Sequence, residues 1–421
     1  MRTRNILSAL TLLTGLALGS LALAQSTTIV WAASPISNNG LRAKLIAAFE
    51  KAYPNIHVKL ISQPTNTDTN RATLVTEISS GSSTPDVYMG DVIWPAQFGH
   101  DGLALPLSKY LPASFWDRFA PGLVAGATYK GQIYGAPFFL DGGFLYYRKD
   151  LLAKMHLPVP KTWAQLKQEA LELKKAGLVK YGFVWQGAAY EGLTCDWMEY
   201  LSDAGGSVFN ANLTKVEIDS PQALKALEFM RSLITSGASP EAVVTYQEPQ
   251  AMNTFASGEA AFMRNWDYAW AASQDPQNSK VVGKVGVAPL PTFNAADWPG
   301  HSTVGGWNLY INPHSKHLKA DLTFIEWMTG VQAQTIMATY ASEIPSNYAV
   351  QKSPEVRAKN PVLRIVSLVK FTPRPAQTPA YPSVSAAIYR NINAALAGSV
   401  SPQQALAQAQ REIESAISGG L

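Results

Sequence analysis

The chain predicts an α/β protein built as two lobes from one discontinuous polypeptide. Three observations carry this. Strand-like and helix-like runs alternate along the chain; no low-complexity linker, repeat or charge block interrupts them; and Gly142-Gly143 stands between two strand-like runs, where one rigid body would pass to another. Residues 28–31 read as a strand, 40–53 as an amphipathic helix and 56–63 as a second strand, a βαβ opening. Residues 69–80 predict a further helix closed by Gly81-Ser82-Ser83, and 86–89 a short apolar strand ending at Gly90-Asp91. Ligands of open α/β sheets gather at the carboxyl ends of strands, which singles out Asp91. Within 135–152, GAPFFLDGGFLYYRKDLL, residues 138–140 and 144–147 are strand-like. Asp141 sits at their junction, the two glycines allow φ/ψ values closed to other residues, and Asp150 begins a helical turn. Downstream come helices over 161–176, capped by Thr162, over 220–236, capped by Ser220 with Pro221 at its first position, and over 321–340. Short strands at 182–185, 260–263, 285–288 and 309–311 separate them. The segment 372–382, TPRPAQTPAYP, has four prolines in eleven residues and predicts an extended stiff stretch, read as a surface loop or as a rigid arm presenting Arg374.

The first residues have the form of a secretory leader. Arg2 and Arg4 precede an apolar run over 6–23, and Ala22 and Ala24 fit the small-residue cleavage rule, so cleavage is expected after Ala24 and residues 1–24 are set apart from the fold. No cysteine follows the run, which argues against a lipid anchor and for an exported, periplasmic protein. Removing the two arginines lowers the formal charge from +4 to +2, which gives no electrostatic case for nucleic acid as partner. Cys195, the single cysteine, cannot form an internal disulfide, so stability rests on a large core, which 47% hydrophobic residues can supply. Only 15% of residues are charged, whereas 11 are Trp and 17 Tyr. Aromatics in excess fill cores and interfaces, and they also make platforms for sugar rings, whose apolar C–H faces stack on indole or phenol.

Motifs for chemistry are sparse. There is no G-x-S-x-G elbow and no H-E-x-x-H, and the six histidines show no helical metal-ligand spacing; His314 and His317 lie in a polar turn after Pro313. No metal and no cofactor are expected. Asp91 and Asp141 would meet the minimum for a secreted glycosidase, acid and nucleophile, which stays as an alternative. Acids and aromatics would also suit a polyamine through cation–π contact, although Arg374 in the same cleft disfavours a cation.

Six blocks occur together in fixed order: FEKAYP at 49–54, PDVYMGDVIW at 85–94, GQIYGAP with LYYRKDLL, YGFVWQGAAYEGL at 181–193, FASGEAAFMRNW at 255–266 and GGWNL at 305–309. In these the chain resembles extracellular solute-binding proteins of bacterial ABC sugar importers, of the maltose/trehalose-binding type, over essentially all of it beyond the leader. The resemblance implies two α/β lobes joined by a three-segment hinge, 25–141 with 306–342 and 142–305 with 343–421, that close on a sugar. It implies a monomer without enzymatic activity that hands a glucose-containing disaccharide to the membrane subunits of an ABC permease. Asp91 and Asp141 match acids that accept sugar hydroxyls, bonds about twice as strong as neutral ones. Trp266 and Trp307 match stacking platforms, Gly306 offers close backbone approach, Arg374 matches a guanidinium donating from the opposite lobe, and Tyr190 is a further contact. Two positions depart from the pattern: Asn38 or Asn39 replaces an expected glutamate, and Phe139 an expected tyrosine, so the hydrogen bonds offered to a sugar differ.

Overall fold

The computed structural model describes residues 26–35 and 40–418; the leader with its expected cleavage site, and the loop carrying Asn38 and Asn39, lie outside the described residues. Strands and helices assemble two main sheets, as the alternation predicts. In the first, six strands run in the order Ile344–Pro345, Ala136–Asp141, Gly305–Ile311, Val87–Asp91, Thr27–Ala33 and Ile56–Ser62. The last three are parallel to one another, whereas Gly305–Ile311 enters antiparallel between the strands that end in Asp91 and Asp141. The second sheet orders Val285–Ala288, Phe144–Arg148, Ala260–Asn265 and Tyr181–Val184. Each has its own apolar core: Trp31, Phe49, Tyr88, Phe138 and Phe324 under the first, Trp163, Phe183, Trp197, Leu227 and Ile388 under the second. Burial of such side chains contributes about 1.5–3 kcal/mol each. Among the described residues no helix is long and apolar enough to cross a membrane.

The predicted caps form. Thr162 Oγ1 accepts from the Gln165 amide at 3.1 Å and Ser220 Oγ from the Ala223 amide at 3.2 Å, starting the helices Trp163–Lys175 and Pro221–Thr235. The single helix expected over 321–340 is two, Leu318–Met328 and Val331–Tyr340. The break has a local cause: Gly330 leaves helical geometry at ψ 169°, and the Thr329 hydroxyl turns back to the Ile325 carbonyl at 2.8 Å. A surface loop over 372–382 is not what forms: Arg374 is buried, and Pro382 stands in the first turn of the helix Tyr381–Leu396.

The chain crosses between the sheets at Gly142-Gly143, again at Val304, and a third time after Pro345, where Val350 and Val356 join a core with Phe144 and Tyr146. Ile344–Pro345 hydrogen-bonds to Leu140 and Phe139 at the edge of the first sheet. That sheet therefore reaches past residue 342 and takes in Gly305, one residue before the expected division. A two-residue edge strand has no periodicity for a sequence to display. Gly143 is required by space, not by φ: a Cβ there would stand 2.4 Å from Glu199 Oε1 and 2.5 Å from Arg264 Nη2.

Candidate functional site

Sheet register assembles the site. The strands Val87–Asp91 and Ala136–Asp141 both end at the edge where Gly305–Ile311 begins, so Trp307 pairs with Asp91 and Gly305 with Asp141. This brings Asp91, Asp141 and the Gly305-Gly306-Trp307 triplet to the carboxyl end of the first sheet, where α/β folds bind ligands. Gly306 lies at φ 129°, and a Cβ on it would meet the Phe139 carbonyl at 2.5 Å. Only glycine fits that position without moving the strand. The second lobe contributes Trp266, just beyond Ala260–Asn265, and Glu191, the first residue of the helix Glu191–Asp203.

Both tryptophans are held on a chosen edge. Trp307 is buried, edge-on to Trp94 at 6.1 Å between ring centroids. Trp266 donates Nε1 to Glu248 at 3.2 Å, and the Arg264 guanidinium lies 4.0 Å from its ring centroid. Arg264 is itself clasped by Asp196 at 3.1 Å and by both oxygens of Glu199, all buried inside the second lobe. That cluster keeps the indole from turning.

Arg374 joins the lobes. Its Nη2 donates to Asp91 Oδ1 at 2.7 Å and its Nη1 to Glu191 Oε1 at 2.9 Å, so one guanidinium ties the carboxyl end of the first sheet to a helix of the second lobe. Tyr381 Oη donates to Glu191 at 2.7 Å, Ser385 adds a further bond, and Asp68 accepts the Glu191 amide at 2.9 Å from the first lobe. The donors that the sequence assigned to a ligand are thus taken up by protein carboxylates in this closed arrangement. The cavity left among Asp91, Asp141, Trp266 and Trp307 is about 30 Å³, room for about one water. Any larger ligand must enter by separation of the lobes.

Burial pushes Glu191 up to about 7, against the pull of Arg374. Because this folded value lies above the ordinary one, the folded chain binds more protons than the unfolded chain between the two. The stabilisation from Glu191 is therefore complete below the ordinary carboxylate range and is lost as pH rises through about 7. The difference in urea midpoint between the wild type and Glu191→Gln should accordingly shift against the wild type from about pH 5 to about pH 8, by the equivalent of about 2–3 kcal/mol at most. A difference independent of pH would mean that Glu191 is an ordinary surface-like carboxylate.

Asp141 belongs to a second cluster. Its carboxyl group is within hydrogen-bonding reach of Asp267, and oxygens of Asp141, Asp267 and Glu343 lie within 4.8 Å of one another, all buried. Asp267 Oδ2 accepts the Ile344 amide at 2.6 Å. Arg42, stacked among Trp31, Phe138 and Phe139 at 5.6–5.8 Å, acts electrostatically on Glu343 and Asp141. Burial holds Asp141 and Asp267 above the usual carboxylate range. With the charge of Arg42 acting on it, the group is a buried, hydrogen-bonded acid cluster.

Of the residues singled out from sequence, Asp91, Asp141, Trp266, Gly306, Trp307 and Arg374 line one cleft. Tyr190 is buried just before the helix Glu191–Asp203, its hydroxyl facing Glu248. Phe139 borders instead a neighbouring apolar cavity of about 890 Å³ with Ile93, Leu123 and Phe371. That cavity is the larger, but it lacks Asp91, Asp141 and both tryptophans, so the small polar cleft is the better candidate. Sequence reasoning missed Glu191, Asp68, Glu248, Asp267 and Arg42. Glu191 lies inside the block at 181–193 and Asp267 directly after Trp266, but nothing local marks either as buried.

The family model of the bacterial extracellular solute-binding protein matches residues 32–335. A probable ABC transporter-binding protein of Deinococcus radiodurans is 38% identical over 307 residues, 71% of each chain. The mannitol-binding protein of Pseudomonas aeruginosa is 27% identical over 417 residues, 92% of this chain and 93% of its own. Among solved structures, maltose-bound MalE3 of T. maritima superposes with a TM-score of 0.87 at 37% identity, covering 92% of this chain and 99% of that one.

Proposed function

The chain belongs to the bacterial extracellular solute-binding proteins, binding components of ABC transporters and not enzymes, and from that premise we propose that it captures a glucose-containing disaccharide and delivers it to an ABC permease. Sugars or polyols are the ligand class that its relatives support: maltose for the structure at 37% identity, mannitol for the relative aligned over 92% of the chain. Within that class the carrying observation is the meeting of Trp307 and Asp91 as direct cross-strand neighbours, facing Trp266 from the other lobe. An indole and a carboxyl acceptor side by side suit a pyranose ring, which presents an apolar face and a hydroxyl rim. A flexible polyol has no such face, so the two platforms favour the cyclic ligand.

Capture proceeds without bond chemistry. The lobes part, the sugar enters between Trp266 and Trp307, its hydroxyls take over bonds that Asp91 and Arg374 otherwise make to each other and add one to Asp141, and the lobes close. Ligand binding then shifts an open–closed equilibrium. The glycosidase alternative is set aside by family membership. Export behind a leader cleaved after Ala24 and a monomeric state remain parts of this proposal, as do lobe divisions near 141, 305 and, after the edge strand Ile344–Pro345, 345.

The test is thermal shift and tryptophan fluorescence against maltose, trehalose, sucrose, palatinose, mannitol and spermidine. A saturable response to at least one disaccharide is expected; response to mannitol or spermidine alone would overturn the substrate class. For the responding sugar, Trp307→Ala should weaken binding by about 1–3 kcal/mol, the scale of a lost aromatic stack. Unchanged affinity in a calorimetric titration would remove Trp307 from the site.

A further inference from the structure

Asp267 takes no part in the cleft lining, yet it is fully buried against Asp141, which does. Two carboxyl groups in hydrogen-bonding reach cannot both ionise cheaply inside a protein. One hydrogen must lie between them. Asp267 Oδ2 is already fixed by the Ile344 amide, and among the described residues its Oδ1 has no donor from elsewhere. We propose that Asp267 is a positioning residue for the sugar-binding carboxylate: it holds one shared proton and donates it to Asp141, tying down one Asp141 oxygen and leaving the other free to accept from the ligand. The inference rests on reading Asp141 as a sugar contact.

Burial raises Asp267, reinforced by the charges of Asp141 and Glu343 and only partly offset by the Ile344 amide. Asp141 is raised by burial and by the charges of Asp91 and Glu248, but the bond from Asp267 and the charge of Arg264 pull it down. Arg42, from the helix Leu41–Ala52, supplies the remaining positive charge. Tyr146 and Tyr268 face the pair as neutral phenols held well above their ordinary values by burial. With the proton on Asp267, whose Oδ2 is held by the Ile344 amide, Asp141 is left as the acceptor that lines the cleft. Tyr146 Oη and Ser342 Oγ bond the Asp267 backbone carbonyl at 3.2 and 2.8 Å, which prevents the acid from swinging away.

The experiment reads the proton without needing a ligand. Infrared spectra of the full chain in deuterated buffer near neutral pH should show a protonated carboxylic-acid carbonyl component that is absent in Asp267→Asn. The amide still donates to Asp141 but brings no titratable proton. Asp141→Asn should shift that component rather than remove it, because burial still holds Asp267 protonated while its acceptor changes from a carboxylate to an amide oxygen, and this second variant serves if the first fails to fold. Spectra of either variant identical to wild type would overturn the proposal. Maltose affinity across pH gives the positioning readout. Wild type should weaken as pH rises through deprotonation of the pair, Asp267→Asn should stay flat over that range, and Asp267→Leu should lose about tenfold or more at every pH. Equal affinities in all three proteins would overturn the positioning role. A lost infrared component in a protein that binds no sugar at any pH would leave the acid pair standing and defeat the sugar reading alone.

Discussion

Arg264→Ala should lower the stability of the folded protein by about 3–5 kcal/mol, the scale of a buried ion pair broken from one side. The guanidinium is the shared partner of Asp196 and Glu199, both fully enclosed, and it also donates to Gln186 at 3.2 Å. Glu199 in turn accepts the Thr303 amide at 3.2 Å, so the cluster reaches a strand that leads into one of the crossings between the sheets. Every one of these groups lies within the second lobe or the crossing segments packed on it. Lobe separation therefore cannot bring water to the two orphaned carboxylates. Chemical denaturation read by far-ultraviolet circular dichroism gives the result. A loss under about 1 kcal/mol would mean that the two acids are neutral in the native state and that Arg264 serves only to stack on Trp266.

Arg374→Ala should behave differently although its ion pairs are as buried. Asp91 and Glu191 belong to opposite lobes, and removing the cation between them leaves two carboxylates facing across a closed cleft. Opening the lobes hydrates both. The cost of about 3–5 kcal/mol is thus imposed on the closed arrangement rather than on folding. The melting temperature should fall much less than in Arg264→Ala, the radius of gyration from small-angle scattering should rise, and sugar affinity should drop by roughly 100-fold or more, since only the rare closed form binds tightly. A variant that remains closed in scattering, with affinity intact, would show that Asp68 and Ser385 hold Glu191 and the lobes without Arg374.

Much of this was legible in the sequence because it was written locally. Thr162 and Ser220 announce their helices by side-chain chemistry that acts within three residues, and Gly142-Gly143 marks the passage between the sheets. The cleft residues were readable because each sits in a short motif, and strand register then brings Asp91, Trp307 and Asp141 together. The reason for Gly143 was not readable. The sequence suggests backbone freedom, whereas the structure shows that Arg264 and Glu199 leave no room for a Cβ, a contact across more than fifty residues. The same holds for Glu191, Asp267 and Arg42: each is ionisable, buried and partnered only through tertiary contact, and no local pattern separates such a residue from a solvated one. The break was missed because the first half of the 321–340 segment carries an apolar stripe, the second is apolar without one, and only two non-helical residues, Thr329 and Gly330, separate them.

The most direct test of capture without chemistry is equilibrium dialysis of the purified chain against radiolabelled maltose and trehalose, followed by chromatography of the sugar released from the protein. One equivalent of at least one disaccharide bound per chain and recovered unaltered is the predicted result; no retained sugar, or recovery as glucose, would contradict it.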